Sequence, residues 1–141
     1  MQYTKKQAEN AIYENFLKNS QNCRIFLFTG DLGAGKTYYI SHILNKKFNI
    51  DEVTSPTYTI INTYIKNNNT IHHADLYRLE EEIELFETGF CDIIEEKTYM
   101  FVEWPEKFID FFSSFNYVLY EIKEINQKQE REIKIYEHFI H

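Results

Sequence analysis

The chain has 141 residues, of which 43% are hydrophobic, and this predicts a single domain over residues 1–141 with a buried core. Its formal net charge of −7 argues against a protein that binds RNA or DNA without partner proteins, because nucleic-acid binders usually neutralise phosphates with a basic surface. The N-terminus lacks the apolar core of a signal peptide, and every apolar run is far shorter than a membrane span, so a cytoplasmic protein without membrane contact is expected.

Glycine is rare in this chain and unevenly placed. Three of the four glycines, Gly30, Gly33 and Gly35, lie within a stretch of six residues. Average glycine usage of about 7% would give roughly ten, spread along the chain. We therefore expect a special backbone conformation at this one place.

The first third of the chain predicts a helix, a strand, a loop and a second helix. Thr4 and Gln7 have the spacing of a capping box, so a helix is expected to begin near Thr4 and to end near Asn19. Residues 24–28 form a continuous apolar run, which indicates a strand buried on both faces. The glycine-rich segment follows directly, and a further helix is predicted over residues 38–47.

The rest of the chain predicts strands separated by loops and short helices. Residues 53–59 form a loop, residues 80–88 form a helix capped by Gly89, and residues 105–112 form a loop or short helix. Strands are expected at residues 58–65, 70–75, 99–103, 117–125 and 131–136. The first two strands of this set are expected to be antiparallel, and a polar turn joins the last two. The pattern is that of an α/β architecture with a sheet of about six strands.

The segment from Gly30 to Thr37, GDLGAGKT, fits the phosphate-loop pattern G-x-x-x-x-G-K-[ST] without a mismatch. Glycines let backbone amides approach phosphate oxygens closely, and the free N–H groups of the following helix point at the same anion. Lys36 would contact the β- and γ-phosphates, and the Thr37 hydroxyl would be one ligand of Mg²⁺. The nucleotide-binding residues expected here are Gly30, Asp31, Leu32, Gly33, Ala34, Gly35, Lys36, Thr37 and Tyr38.

Further candidates for metal chemistry lie on the predicted strands. A phosphate-loop enzyme needs a carboxylate at the end of a neighbouring strand to hold Mg²⁺ or its water, and Asp75 and Glu103 each end such a strand. The alternative for each is a carboxylate that is simply solvated. The adjacent His72 and His73 suit opposite faces of a strand better than one metal site.

The Ser-Pro-Thr segment that contains Thr57 has two interpretations. It is either an ordinary turn into a strand or a switch loop whose hydroxyl senses the γ-phosphate.

Motifs of larger nucleotide-binding classes do not occur in the sequence. The Asn-Lys-x-Asp motif of GTPases and the Ser-Gly-Gly signature of transporter ATPases are absent, and helicases need a longer chain. The arginines Arg24, Arg78 and Arg131 are too dispersed for the lid of a small-molecule kinase. After these exclusions, the remaining classes of phosphate-loop protein are a very small nucleotidase and a nucleotide-dependent adaptor.

Four blocks, GDLGAGKT, VTSPTYTIINTY, HADLYRL and FVEWPE, resemble in order and spacing the TsaE (YjeE) family, the small ATPase of bacterial tRNA threonylcarbamoyladenosine (t6A) synthesis. The resemblance covers roughly residues 24–106. It implies a P-loop NTPase-like domain with a mixed parallel and antiparallel central sheet flanked by helices, and it implies ATP or ADP and Mg²⁺ as ligands. It also implies weak ATP hydrolysis stimulated by homologues of TsaB and TsaD, through which the chain would meet tRNA only indirectly.

The resemblance implies a role for each matching residue. Lys36, Asp75 and Glu103 would be the catalytic residues, with Lys36 on the phosphates. Thr37, Glu103 and Asp75 would serve the metal, Asp75 either directly or through the attacking water.

Five other positions are less tightly determined by the resemblance. Thr57 would belong to the switch-like loop, and Arg131 would lie near the nucleotide. Trp104 and Arg78 match positions that serve either positioning or partner contact. Tyr38 departs from the family, which commonly has a second threonine there. Two other functions stay open: a small-molecule kinase and a non-catalytic nucleotide-gated adaptor.

Overall fold

Four parallel strands form the middle of the sheet, and the two innermost of them are apolar runs, as expected for strands that are buried on both faces. In the computed structural model, which describes residues 2–31, 33–94, 97–125 and 130–140, the sheet has seven strands. In chain order they are β1 (Gln2–Thr4), β2 (Ile25–Thr29), β3 (Ile61–Lys66), β4 (Asn69–Asp75), β5 (Tyr99–Glu103), β6 (Tyr117–Ile125) and β7 (Glu130–His138).

Helices cover both faces of this sheet. They are α1 (Lys5–Asn19), α2 (Lys36–Phe48), α3 (Glu82–Glu87), α4 (Phe90–Ile93) and α5 (Ile109–Phe112), with a 3-10 turn at Glu106–Phe108. Within the described ranges, no helix has both the length and the apolar character that crossing a membrane requires.

The strand order is β1-β7-β6-β2-β5-β4-β3. Strands β6, β2, β5 and β4 run parallel, whereas β3 joins one edge and β7 and β1 join the other in antiparallel fashion. This order confirms the predicted α/β class and the mixed sheet. Because parallel strands end at the same edge, the loops that follow β2, β4 and β5 meet there, where open α/β sheets usually bind ligands.

Strand β2 lies between two apolar cores. Phe26 and Phe28 point into the core beneath α1 and α2. Ile25 and Leu27 point into the opposite core, which includes side chains from α3, α4 and α5. Burial on both faces explains why this strand is a continuous apolar run rather than an alternating one.

Helix α1 begins at the predicted capping box. The Gln7 amide N–H donates to the Thr4 hydroxyl at 3.2 Å, and the Thr4 amide N–H donates to the Gln7 side chain at 2.9 Å. The apolar stripe of α1 is buried, and the ring of Phe16 lies 4.8 Å from that of Phe26 and 5.6 Å from that of Phe101 between centroids. This cluster fixes α1 across β2 and β5.

The sheet has one strand more than the sequence predicts. Strand β1 has only three residues and pairs with β7, so it is too short to show any periodicity of its own. The strand predicted at residues 58–65 begins later, at Ile61. Ile60 has a φ of 70°, which interrupts the extended backbone before that point.

The helix predicted at residues 80–88 is shorter than expected. It spans Glu82–Glu87, because Glu81 is extended and caps its start. Gly89 has a φ of 84° and follows the helix end, as the predicted cap requires. The polar turn predicted between the last two strands, at residues 126–129, lies outside the described residues.

We expect Phe16→Ala to lower the free energy of unfolding by about 3–5 kcal/mol, because removing a fully buried ring leaves a cavity among other rings. Leu17→Ala is the matched control on the same helix, since Leu17 is 37% exposed and should cost less than about 1 kcal/mol. Urea unfolding of both variants measures the difference. Equal losses would contradict the orientation of α1.

Candidate functional site

A cavity of about 280 Å³ lies at the edge of the sheet where the parallel strands end. Its walls come from the loop after β2, the first turn of α2, the loop before β3, and the ends of β4 and β5. The lining residues are Gly33, Gly35, Lys36, Thr37, Tyr38, Ser55, Thr57, Asp75, Glu103 and Trp104. The fold therefore brings the predicted phosphate loop together with both predicted strand-end carboxylates.

Two glycines shape the loop between β2 and α2. A Cβ atom on Gly30 would lie 2.4 Å from the carbonyl oxygen of Ile122 on β6, so only glycine fits there. Gly35 has a φ of 105°, directly precedes α2 and has no side chain with which to cap the helix. The first amide groups of α2 are thus available to an anion.

Lys36 is a cation in the wall of the cavity and is only 5% exposed. Its Nζ donates to the carbonyl oxygens of Gly30 and Asp31, the latter at 3.1 Å, and lies 3.9 Å from the ring centre of Trp104. Burial lowers the pKa of Lys36, and Glu103 opposes this effect more than the other nearby carboxylates do. A poorly solvated ammonium group gains strongly from an anionic ligand.

Glu103 ends β5 and is 3% exposed. The Thr37 hydroxyl lies 2.9 Å from its Oε1 and 2.8 Å from its Oε2 and donates to this carboxylate. His73 Nε2 lies 2.7 Å from Oε2. Two of the three residues predicted to serve a metal, Thr37 and Glu103, are thus in direct contact, and His73 is hydrogen-bonded to Glu103.

Asp75 ends β4 beside Glu103, because the parallel register of β4 and β5 pairs these two residues. Its carboxylate accepts hydrogen bonds from the Tyr77 N–H at 2.9 Å and from the Thr57 hydroxyl at 3.2 Å. Burial raises the pKa of Asp75, although the hydrogen bonds act in the opposite direction. Asp75 and Glu103 are both buried, unlike simply solvated carboxylates.

The loop that carries Thr57 reaches the same edge of the sheet. The hydroxyls of Ser55 and Thr57 are 2.8 Å apart, and both residues line the cavity. Through Thr57 the loop contacts Asp75 directly. A shift of the Asp75 side chain would therefore change a direct contact with this loop.

Trp104 lines the cavity next to Lys36. Its φ of 59° is unusual for a residue other than glycine, and its ring packs 4.7 Å from that of Tyr77. Arg78, by contrast, lies 5.5 Å from the ring of Tyr58 and is not a lining residue.

Tyr38 lines the cavity and is 41% exposed. Its hydroxyl donates to Glu9 of α1 at 2.9 Å, and the Lys5 ammonium group lies 4.2 Å from its ring centre. The side chain that replaces the family's second threonine therefore links the first turn of α2 to α1.

Some predicted nucleotide-binding residues are not among the lining residues. Gly30 and Asp31 contribute carbonyl oxygens to the lysine, and Ala34 is buried within the loop. Leu32 lies outside the described residues. Arg131 is buried on β7 and does not line the cavity, so its contact with a nucleotide stays a prediction.

Sequence reasoning missed two residues at this site, His73 and Ser55. A usable signal existed for His73, because it lies two residues before Asp75 and alternate residues of a strand share a face. Ser55 belongs to the Ser-Pro-Thr segment already considered as a switch loop, but the sequence did not show that its side chain as well as that of Thr57 would line the cavity.

The phosphate loop after the central strand, beside two strand-end carboxylates, is the arrangement of an α/β, P-loop NTPase-like fold. The structure is similar to that of Bacillus subtilis YdiB, with a TM-score of 0.68 over 99% of this chain and 84% of that chain. Sequence identity to YdiB is 20%, so this likeness supports the fold alone. The family described as "Threonylcarbamoyl adenosine biosynthesis protein TsaE" matches residues 3–133, and the chain belongs to this family.

Curated relatives carry the description tRNA threonylcarbamoyladenosine biosynthesis protein TsaE. The one from Rickettsia felis is 41% identical over 86 residues, which are 58% of this chain and 48% of that protein. The one from Rickettsia prowazekii is 34% identical over 107 residues, covering 73% of this chain and 71% of that protein. The chain thus matches about half the length of the first relative and more of the second.

We expect Gly30→Ala to destabilise the protein more than Gly33→Ala. Both glycines have a positive φ, so each alanine costs about 1–3 kcal/mol of backbone strain. A Cβ at position 33 meets nothing within 4 Å, whereas at position 30 it would overlap the Ile122 carbonyl. Urea unfolding should show at least about 1 kcal/mol of additional loss for Gly30→Ala. Equal losses would argue against close packing of the loop on β6.

Proposed function

We propose that this chain is a Mg²⁺-dependent ATPase of low intrinsic activity that supports t6A modification of tRNA. The observation that carries the proposal is the one cavity lined by Lys36, Thr37, Asp75 and Glu103. Family membership and the descriptions of the relatives support the pathway. The complete phosphate loop supports the ligand.

The phosphates of ATP would bind along the loop and the start of α2. Lys36 would exchange the carbonyl oxygens of Gly30 and Asp31 for oxygens of the β- and γ-phosphates. Because burial disfavours its charge, the lysine gains from an anion more than a solvated lysine would. The first amide groups of α2 would donate to the same anion.

The donor set fits Mg²⁺. This ion prefers oxygen ligands, and Thr37, Glu103 and Asp75 offer one hydroxyl and two carboxylates. The Thr37 hydroxyl donates a hydrogen bond to Glu103, which leaves the lone pairs of the hydroxyl oxygen available to the ion. When bound, Mg²⁺ would neutralise charge on the phosphates.

Asp75 and Glu103 are also the groups suited to orient a water molecule toward the γ-phosphate. Both are buried acceptors at the same edge of the sheet. Because the pKa of Asp75 is raised, this carboxylate is a better proton acceptor than an ordinary aspartate. Thr57, which donates to Asp75, would couple its loop to the state of the phosphates.

Homologues of TsaB and TsaD are the proposed partners. A chain with a net charge of −7 is poorly suited to hold tRNA itself, so tRNA would be bound by the complex. Tyr58, which is 85% exposed beside Arg78, offers an aromatic and cationic contact near the cavity for such a partner.

A small-molecule kinase is the less favoured reading. Such an enzyme closes cationic side chains over the phosphates, and no arginine occurs among the described residues that line the cavity. Arg24 and Arg78 lie instead against the rings of Tyr99 and Tyr58. A phosphorylated acceptor in a metabolite screen would reverse this preference.

We expect Lys36→Ala to weaken ATP binding by at least about tenfold while the fold is retained, because it removes charge-assisted hydrogen bonds to phosphate. Lys46→Ala is the matched control on the same helix, since its ammonium group lies against the ring of Tyr13. Calorimetric titration with ATP measures affinity, and circular dichroism checks the fold. Unchanged affinity in Lys36→Ala would contradict the phosphate-loop assignment.

We expect the isolated chain to hydrolyse ATP slowly and the rate to rise when cognate TsaB and TsaD homologues are added. Glu103→Ala should bind ATP but lose hydrolysis, because it removes a buried group from the metal and water side of the cavity. A reconstituted t6A assay compares the two proteins. No response to the partners would count against the proposal, and normal modification with non-hydrolysing Glu103→Ala would favour the nucleotide-gated adaptor.

A further inference from the structure

His73 lies on β4, two residues before Asp75, with 0% of its surface exposed. Its Nε2 is 2.7 Å from Oε2 of Glu103. Its Nδ1 is buried and has no hydrogen-bond partner among the described residues. Within the described part of the chain, this imidazole therefore makes its hydrogen bond to Glu103 alone.

This environment decides where the proton of the ring lies. An ionised Glu103 can only accept hydrogen bonds, so Nε2 of His73 must donate. The hydrogen bond needs only a proton on Nε2, the ring nitrogen that lies 2.7 Å from Oε2 of Glu103.

We propose that His73 is a positioning residue that orients the Glu103 carboxylate for Mg²⁺, an inference that rests on the proposed nucleotide site. Oε2 of Glu103 accepts from both His73 and Thr37, whereas Oε1 accepts, among the described residues, from the Thr37 hydroxyl alone. Oε1 thus has more lone-pair capacity free than Oε2 has, and we expect Oε1 to be the oxygen that binds the ion or its bound water. Because the carboxylate is already held, binding the ion orders it at lower entropic cost.

His72 is a matched control on the same strand. It is also buried, but its Nδ1 lies 2.9 Å from the Thr63 hydroxyl, on the neighbouring strand β3. Removing either imidazole takes the same group from adjacent positions of β4. Of the two, His73 is the one whose hydrogen bond to Glu103 the structure shows.

The test is a magnesium titration of nucleotide binding, followed by the fluorescence of N-methylanthraniloyl-ADP. We expect His73→Leu to raise the half-saturating Mg²⁺ concentration about tenfold, with nucleotide affinity in EDTA nearly unchanged. His73→Gln keeps a side-chain N–H that can donate to Glu103, and it should recover most of the loss. His72→Leu should leave both quantities at their wild-type values.

Two results would overturn the inference. One is a wild-type Mg²⁺ requirement in His73→Leu, and the other is an equal loss of affinity with and without Mg²⁺, which indicates a purely structural role. If His73→Leu does not fold, nitrogen NMR of the wild-type imidazole decides, and a ring without a proton on Nε2 rejects the proposal. Wild-type protein that binds no nucleotide, or binds it without a response to Mg²⁺, would reject the proposed function as well.

Discussion

The candidate site depends on three ionisable side chains that the fold holds away from water in one cavity. The parallel register of β4 and β5 sets Asp75 beside Glu103, and Lys36 lines the same cavity from the start of α2. Burial raises the pKa of Asp75 and lowers that of Lys36, so in both groups the charged form is incompletely compensated. A phosphate near the lysine and a cation near the carboxylates would complete that compensation. A polyphosphate with a divalent cation carries both charges, which is why the geometry favours such a ligand.

Packing around the central strands offsets the cost of holding these charges. Removing a charge from water costs several kcal/mol even after relaxation, whereas burying a large apolar side chain contributes about 1.5–3 kcal/mol. Phe16 and Phe101 belong to the core on one face, and Leu27 and Phe90 belong to the core on the other. The ionisable groups therefore project from strand ends and a helix start whose positions are fixed by apolar contacts, which holds them more precisely than loops would.

Local sequence was enough to predict much of this fold, because many of its features depend on neighbouring residues. The capping box at Thr4 and the glycine loop each lie within one short segment, so each can be recognised from residues close together in the sequence. The placement of Asp75 beside Glu103 depends instead on the register of two strands that are distant in the chain. The bond from His73 to Glu103 follows from that register, and no single motif contains it. Strand β1 is a similar case, because its three residues form a strand only by pairing with β7.

Tyr38 illustrates how a departure from the family pattern changes the connections of the site. A threonine hydroxyl is bonded to Cβ and stays beside its own helical turn, whereas the phenol of Tyr38 extends to Glu9 on α1. The same Glu9 oxygen lies 2.8 Å from Nδ1 of His42, so one carboxylate oxygen ties two successive turns of α2 to α1. The amide group of Tyr38 belongs to the turn that the proposed phosphates would contact. In this chain the residue at position 38 therefore connects the start of α2 to the first helix.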